Sequence, residues 1–288
     1  MKIFPITLGL ILISAPWVSA QVSLEIVLDE DQFLRNEALP VKVRITNLSG
    51  QTLRLGKEED WLTFSIESRE GHVVPKLGEA PVVGEFTLDS AFAATKRADL
   101  APYFSLSQPG RYELTATLKI PQWDLQMSSK PKTFTISVGA KIWEKVIGIP
   151  ASNGSPETRK FALIQTNYKE RLRLYIRVTD EAESAAFKVF QLGPAVSFSK
   201  PEEQLDKFNN LHVLFQDGAQ TFNYSVIKPT GELLVRRTYG YLGTSRPVLR
   251  GDEDGLIGVA AGQRMITKND LPPAPVAVST NVVKAVKP

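Results

Sequence analysis

The sequence predicts an all-β chain: a β-sandwich followed by an antiparallel β domain with blade-like hairpins. Three observations carry that reading. Apolar and polar residues alternate in short runs, as in Pro40 to Asn47, where Val41, Val43 and Ile45 share one face and Lys42, Arg44 and Thr46 the other. The 19 glycines and 19 prolines stand among such runs, where turns are needed. Two strand triplets in the second half match one another in order and length.

Residues 1–20 read as a cleavable signal peptide. Met1-Lys2 supplies positive charge, Ile3 to Ile13 is almost wholly apolar, and Val18-Ser19-Ala20 places small residues before Gln21. The apolar run is shorter than the about 20 residues a spanning helix needs, so cleavage at Ala20-Gln21 is expected rather than a retained anchor. No stable membrane span is expected after cleavage, and the expected location is the periplasm or the exterior. The 288 residues include no cysteine, which removes disulfides, a lipid-bearing cysteine and thiolate zinc ligands together. With 34 basic against 31 acidic side chains, the chain lacks the basic bias of a nucleic-acid binder.

The first domain spans 21–139. Val22 to Leu28, Pro40 to Asn47, Gln51 to Leu55, Leu62 to Glu67 and Thr133 to Val138 read as strands, with polar turns such as Asp29-Glu30-Asp31 and Asn47-Leu48-Ser49-Gly50 between them. Ser90 to Arg97 reads as a short helical crossover. After the turn at Pro109-Gly110, Tyr112, Leu114, Ala116 and Leu118 share a face. Seven or eight strands in about 115 residues is the count of an immunoglobulin-like sandwich. Tyr112 opens a late strand just after a tight turn, where such sandwiches place a tyrosine corner; an ordinary half-buried strand tyrosine fits equally.

The string Val41-Lys42-Val43-Arg44-Ile45-Thr46-Asn47-Leu48-Ser49-Gly50, then Leu62 to Val73, then Pro109-Gly110-Arg111-Tyr112-Glu113-Leu114-Thr115-Ala116 resembles bacterial immunoglobulin-like domains of the intracellular proteinase inhibitor type. The resemblance covers residues 21–139 and implies a sandwich. It rests on strand layout, and no inhibitory residue carries over. The export signal and the second domain depart from that family.

The second domain spans 140–265. Leu163 to Thr166, Leu172 to Asp180 and Phe187 to Phe190 make three strands; Val213 to Asp217, Phe222 to Lys228 and Leu233 to Arg237 repeat them about 50 residues later. Gly255 to Ala260 looks like a third start. Repeats of this kind suggest two to three propeller blades, but a closed propeller takes about four or more. A partial propeller and a second sandwich both stay open. Residues 266–288, including Leu271-Pro272-Pro273-Ala274-Pro275-Val276, read as a flexible tail.

Chemistry-bearing residues are few. His72 and His212 have no spacing that suits zinc, and no Gly-x-Ser-x-Gly elbow supports a serine nucleophile. The acidic turns Asp29-Glu30-Asp31 and Asp252-Glu253-Asp254 offer oxygen ligands for calcium, but neither has EF-hand spacing, and solvated turns explain both. No catalytic residue, metal ligand or cofactor is expected. The most organised polar surface is Arg171, Arg173, Tyr175 and Arg177, which period two sets opposite Leu172, Leu174, Ile176 and Val178. Arg236, Arg237 and Tyr239, with Tyr241, form a second basic-aromatic patch at the matching place in the repeat. Arginine with tyrosine suits a protein interface or an anionic glycan; the alternative is the solvated face of a sheet.

These readings lead to an exported, non-enzymatic binding or interaction protein whose partner is an unidentified protein or glycan. The blade-like repeat allows a carbohydrate-active enzyme or accessory module instead, which would need a pocket with two converging carboxylates. The inhibitor-type resemblance allows a proteinase inhibitor.

Overall fold

The computed structural model of the chain describes residues 21–149 and 157–271. The signal-peptide reading and residues 272–288 of the tail lie outside them. In chain order the strands are β1 (Val22–Val27), β2 (Gln32–Leu34), β3 (Pro40–Asn47), β4 (Leu53–Leu55), β5 (Leu62–Ser68), β6 (Phe86–Leu88) and β7 (Ala93–Asp99). There follow β8 (Gly110–Ile120), β9 (Leu125–Ser128), β10 (Lys132–Ser137), β11 (Ala140–Ile149), β12 (Glu157–Tyr168), β13 (Arg171–Thr179) and β14 (Ala186–Pro194). Last come β15 (Glu202–Leu205), β16 (Leu211–Gln216), β17 (Thr221–Ile227), β18 (Leu233–Tyr241), β19 (Val248–Gly251), β20 (Ile257–Ala260) and β21 (Gly262–Met265). Two 3-10 turns, Ala101–Tyr103 and Pro121–Trp123, are the only helical elements among the described residues. The chain is all-β, as its alternation predicts, and no closed propeller occurs among the described residues.

The chain divides into two compact units, the first holding residues up to Asp31, Leu39–Leu106 and Gly110–Thr135, the second Gln32–Ala38, Ser107–Pro109 and the residues from Ile136. In the first unit β1, β3 and β7 form one antiparallel sheet, with Leu24 opposite Ile45 and Ile26 opposite Val43. A second sheet joins β5 to β8, with β9 alongside β8. Alternation sends Val41, Val43, Ile45, Phe64, Ile66, Leu114 and Leu118 into the interior. Residues Ser90 to Arg97 are not a helical crossover: Ala93–Asp99 is the edge strand β7. Lys96 turns inward on that edge and sets its ammonium 3.8 Å from the Phe86 ring centroid. A charge pointing inward from an edge strand discourages pairing with another chain. Tyr112 is fully buried, stacks on Phe134 at 5.5 Å, and has its hydroxyl 3.0 Å from His72 Nε2.

In the second unit β11, β12, β13 and β14 form a meander in which each strand pairs with its neighbour in sequence. The other sheet has the order β15-β16-β17-β18-β21. Phe161, Leu163, Leu174, Ile176 and Val178 of the first sheet share one buried cluster with Leu211, Val213, Phe215 and Ile227 of the second. The two strand triplets are thus real, but they pack face to face as a sandwich instead of radiating as blades. The expected third start is β20, which pairs with β19 and covers the outer face of the second sheet. Leu249, Ile257 and Val259 meet Leu214, Phe222, Tyr224 and Val226 there.

A further layer lies on the first sheet. Leu34 packs with Ile164, Tyr175 and Val189, and Gln32 Nε2 donates to Thr166 Oγ1 at 3.0 Å. Gly139 permits this approach: it has φ 72°, and a Cβ there would stand 2.4 Å from Ile164 Cγ2 and 2.9 Å from the Gln165 carbonyl oxygen. The beginning of the expected tail also belongs to the fold. Leu271 N donates to the Arg236 carbonyl at 3.1 Å, and the Asp270 carboxylate accepts from Thr238 N at 3.0 Å.

Candidate functional site

The β13 residues have different fates. Period two does separate Leu174, Ile176 and Val178 from Tyr175 and Arg177, but both faces of the strand are buried. Arg171 is exposed. Arg173 donates to Gln191 Oε1 at 3.1 Å and lies 4.0 Å from the Tyr168 ring centroid. Tyr175 is 2% exposed within the cluster around Leu34. Arg177 is buried and donates to Glu183 Oε2 at 2.7 Å. Tyr175 and Arg177 therefore do not form the binding surface the sequence pattern suggests, because Leu34 and Glu183 cover them. Burial pushes the Glu183 carboxyl up, but hydrogen bonding from Lys160 and the charges of Arg177 and Lys141 outweigh it and hold the group below its ordinary value.

The second patch also divides. Adjacent strand positions point to opposite faces, so Arg236 and Arg237 cannot act together. Arg237 stands opposite Tyr224 and Tyr239 opposite Phe222, on the outer face. Tyr239 sets its ring edge-on to Tyr224 at 6.1 Å. Arg236 stands opposite Ser225 on the inner face, and its Nη2 donates to the Gln191 carbonyl at 3.1 Å.

Sequence patterning missed a buried network on the outer face. His212 Nδ1 lies 2.7 Å from the Tyr224 hydroxyl, and Nε2 lies 3.2 Å from Asp206 Oδ2. The turn from Asp206 to Asn210 aims that carboxylate, since Oδ1 accepts from Phe208 N and Asn210 N, both at 2.8 Å. Burial pushes Asp206 up, but its bonds from Asn210, His212 and Phe208 win and lower it. Burial pushes the Tyr224 hydroxyl up to about 12. The Tyr224 hydroxyl also reaches the Ile257 carbonyl at 3.4 Å, so the network ties β17 to β20. Nothing in the spacing of these residues signals it, because register alone brings β16 and β17 together.

Asp252 caps its own turn, accepting from Leu256 N at 2.7 Å. Among the described residues no three or more His, Cys, Asp or Glu side chains stand together to hold a metal ion. No described helix is long and apolar enough to cross a membrane.

A groove of about 760 Å3 opens where β17, β18 and β21 end. Gln220, Thr221, Thr244 and Gln263 supply amides and hydroxyls, with Tyr241 and Met265 beside them. The turn Leu242–Ser245 closes through paired backbone bonds, with Gly243 at φ 62°, the conformation a type II′ turn requires at its first central residue. Phe222 supports Tyr241 edge-on at 5.5 Å. None of the groove's lining residues bears a carboxylate, imidazole or ammonium group. Arg246 is paired with Glu202, and Arg264 with Asp270 at 2.6 Å.

No protein-family model matches the chain. No curated protein matches it in sequence. Among solved structures, the sporulation control protein Spo0M from Bacillus subtilis is similar at a TM-score of 0.33 and 10% identity, over 58% of this chain and 83% of that one. A likeness at that level carries no argument about function.

Proposed function

We propose that the chain is an exported, non-enzymatic binding protein that takes its ligand in the groove at the ends of β17, β18 and β21. The composition of that groove carries the reading. Its amides and hydroxyls can orient a polar ligand, but it has no acid–base pair. A glycosidase would need two carboxylates about 5–10 Å apart across the bond it cleaves. Support for export comes from the sequence Met1 to Ala20.

The test is a heteronuclear NMR titration of the chain from Gln21 onward with saccharides, short peptides and small carboxylates. The expected result is shift changes at the amides of Gln220, Thr221, Thr244 and Gln263 with at least one class, lost in Thr244→Trp. No change at those residues across the panel overturns the reading. Turnover of chromogenic glycosides, esters or peptides overturns its non-enzymatic part. For export, cells producing the full chain should yield a product beginning at Gln21 outside the cytoplasm; full-length chain retained in the cytoplasm refutes it.

A further inference from the structure

The inner face of β17 and β18 is unusual for a sandwich interior. Three successive cross-strand rows are Ser225 with Arg236, Asn223 with Thr238, and Thr221 with Gly240. None contributes an apolar side chain, although the neighbouring strand β16 presents Leu211, Val213 and Phe215 to the same interior. Ser225 is fully buried, and Asn223 and Thr238 are 4% and 5% exposed. The outermost row, Thr221 and Gly240, lines the groove described above. Alternate residues of a strand lie about 7 Å apart, so Arg236 stands about two such steps inward from the groove's edge.

Arg236 is the one charge in this strip, and it lacks a counter-ion. Its guanidinium makes one hydrogen bond, to a neutral carbonyl, and forms no ion pair among the described residues. Its Nε is buried without a partner. Asp270, which touches the same strand at Thr238, is already held by Thr238, Thr267 and Arg264. Arg236 is half-buried, and a partly desolvated cation without a balancing charge carries a cost that falls when an anion occupies the site. Ser225 Oγ donates to Asn223 Oδ1 at 2.8 Å, which leaves the Asn223 amide nitrogen as a second donor one row from Arg236.

We infer that the polar strip beneath the groove is an oxyanion-binding site, with Arg236 as its charge and Asn223 as its supporting donor. The ligand class is a small molecule or a chain end bearing a carboxylate or a phosphate. Guanidinium offers a planar fork of donors that matches either group. This rests on the groove reading and deepens it by assigning the ligand a negative end.

The test uses the chain from Gln21 onward with sodium acetate, sodium phosphate and, at matched ionic strength, sodium chloride. The wild-type Arg236 Nε–H resonance should move saturably with acetate or with phosphate, and whichever moves it identifies the source. Chloride should not move it. Arg236→Gln should weaken the responding anion at least about tenfold, read from its concentration dependence in thermal unfolding. Asn223→Ala should weaken it less. An Nε–H resonance unmoved by both oxyanions overturns the inference, as does an equal thermal response in wild type and Arg236→Gln. The resonance is read in the wild-type protein, so misfolding of a variant does not affect that measurement. Neutral ligands shifting only the groove amides would leave the binding reading standing while this inference falls.

Discussion

Arg177 Nη2 lies 2.7 Å from Glu183 Oε2, and Lys160 Nζ lies 3.3 Å from Glu183 Oε1. With Lys141 Nζ 3.5 Å from Oε1 as well, one carboxylate, 23% exposed, balances three cations at the edge of a buried seam, one of them an arginine side chain 8% exposed. Removing Glu183 leaves the Arg177 charge uncompensated. Glu183→Gln should therefore destabilise the chain by about 1–3 kcal/mol, between the effects of exposed and buried pairs. Urea unfolding measures this; a loss within error of zero refutes it.

The same carboxyl predicts a pH effect. Its folded-state pKa is lowered, so its stabilisation is present above the unfolded value and is lost as pH falls through the folded value. Wild type should lose stability on acidification more steeply than Glu183→Gln, with the two curves converging at the acid end. Parallel curves would contradict the assignment.

Tyr175 and Arg171 are two strand steps apart in pattern and far apart in consequence. Tyr175→Ala empties a position 2% exposed and should cost about 3–5 kcal/mol, as aromatic truncations in cores do. Arg171 is exposed, and Arg171→Ala should stay within about 0.5 kcal/mol of wild type. Equal losses would mean the face is not covered as described.

Asp217 runs opposite to Glu183. Burial raises its pKa, and its Oδ1 is buried without a partner. A raised acid contributes stability below its unfolded pKa and loses it as pH rises through the folded one. Asp217→Asn should raise Tm at neutral pH, with the gain shrinking toward acid. A lowered Tm at neutral pH would show that the carboxylate has a role the substitution destroys.

Gly139 and Gly50 both have positive φ, but only Gly139 is crowded. Gly50→Ala meets no atom within 4 Å and should cost about 1 kcal/mol from backbone conformation alone. Gly139→Ala adds the collision with Ile164 and Gln165 and should cost clearly more, read as a larger drop in denaturation midpoint. Similar midpoints would deny the close approach.

Strand grammar is legible in the sequence because it is local. Val41, Val43 and Ile45 alternate by the geometry of a single strand, and the triplets from Leu163 and Val213 are meanders whose order follows the chain. What covers a face is not local. Tyr175 and Arg177 look like a wet surface until Leu34, from a segment far away in sequence, and Glu183 come down on them. The same holds for Asp206, His212 and Tyr224, whose meeting depends on register between β16 and β17. Ser90 to Arg97 reads as a helix because alanines and charges suit one in isolation, whereas pairing of Ala94 with Ile45 and Ala98 with Val41 makes it a strand. Of the two basic-aromatic patches, Arg236 alone keeps a proposed functional role, and it does so from the inner face.

The meander of β11 to β14 has a kinetic corollary. Every pairing in that sheet joins consecutive strands, so its loops close over short stretches of chain at small entropic cost. Hairpins of this kind form in about 1–10 μs. Its partner sheet closes over a longer stretch, because β19 and β20, which form a sheet of their own, lie in the sequence between the paired strands β18 and β21. By loop closure alone, the contact that shapes the groove should therefore mature after the four-stranded meander has formed.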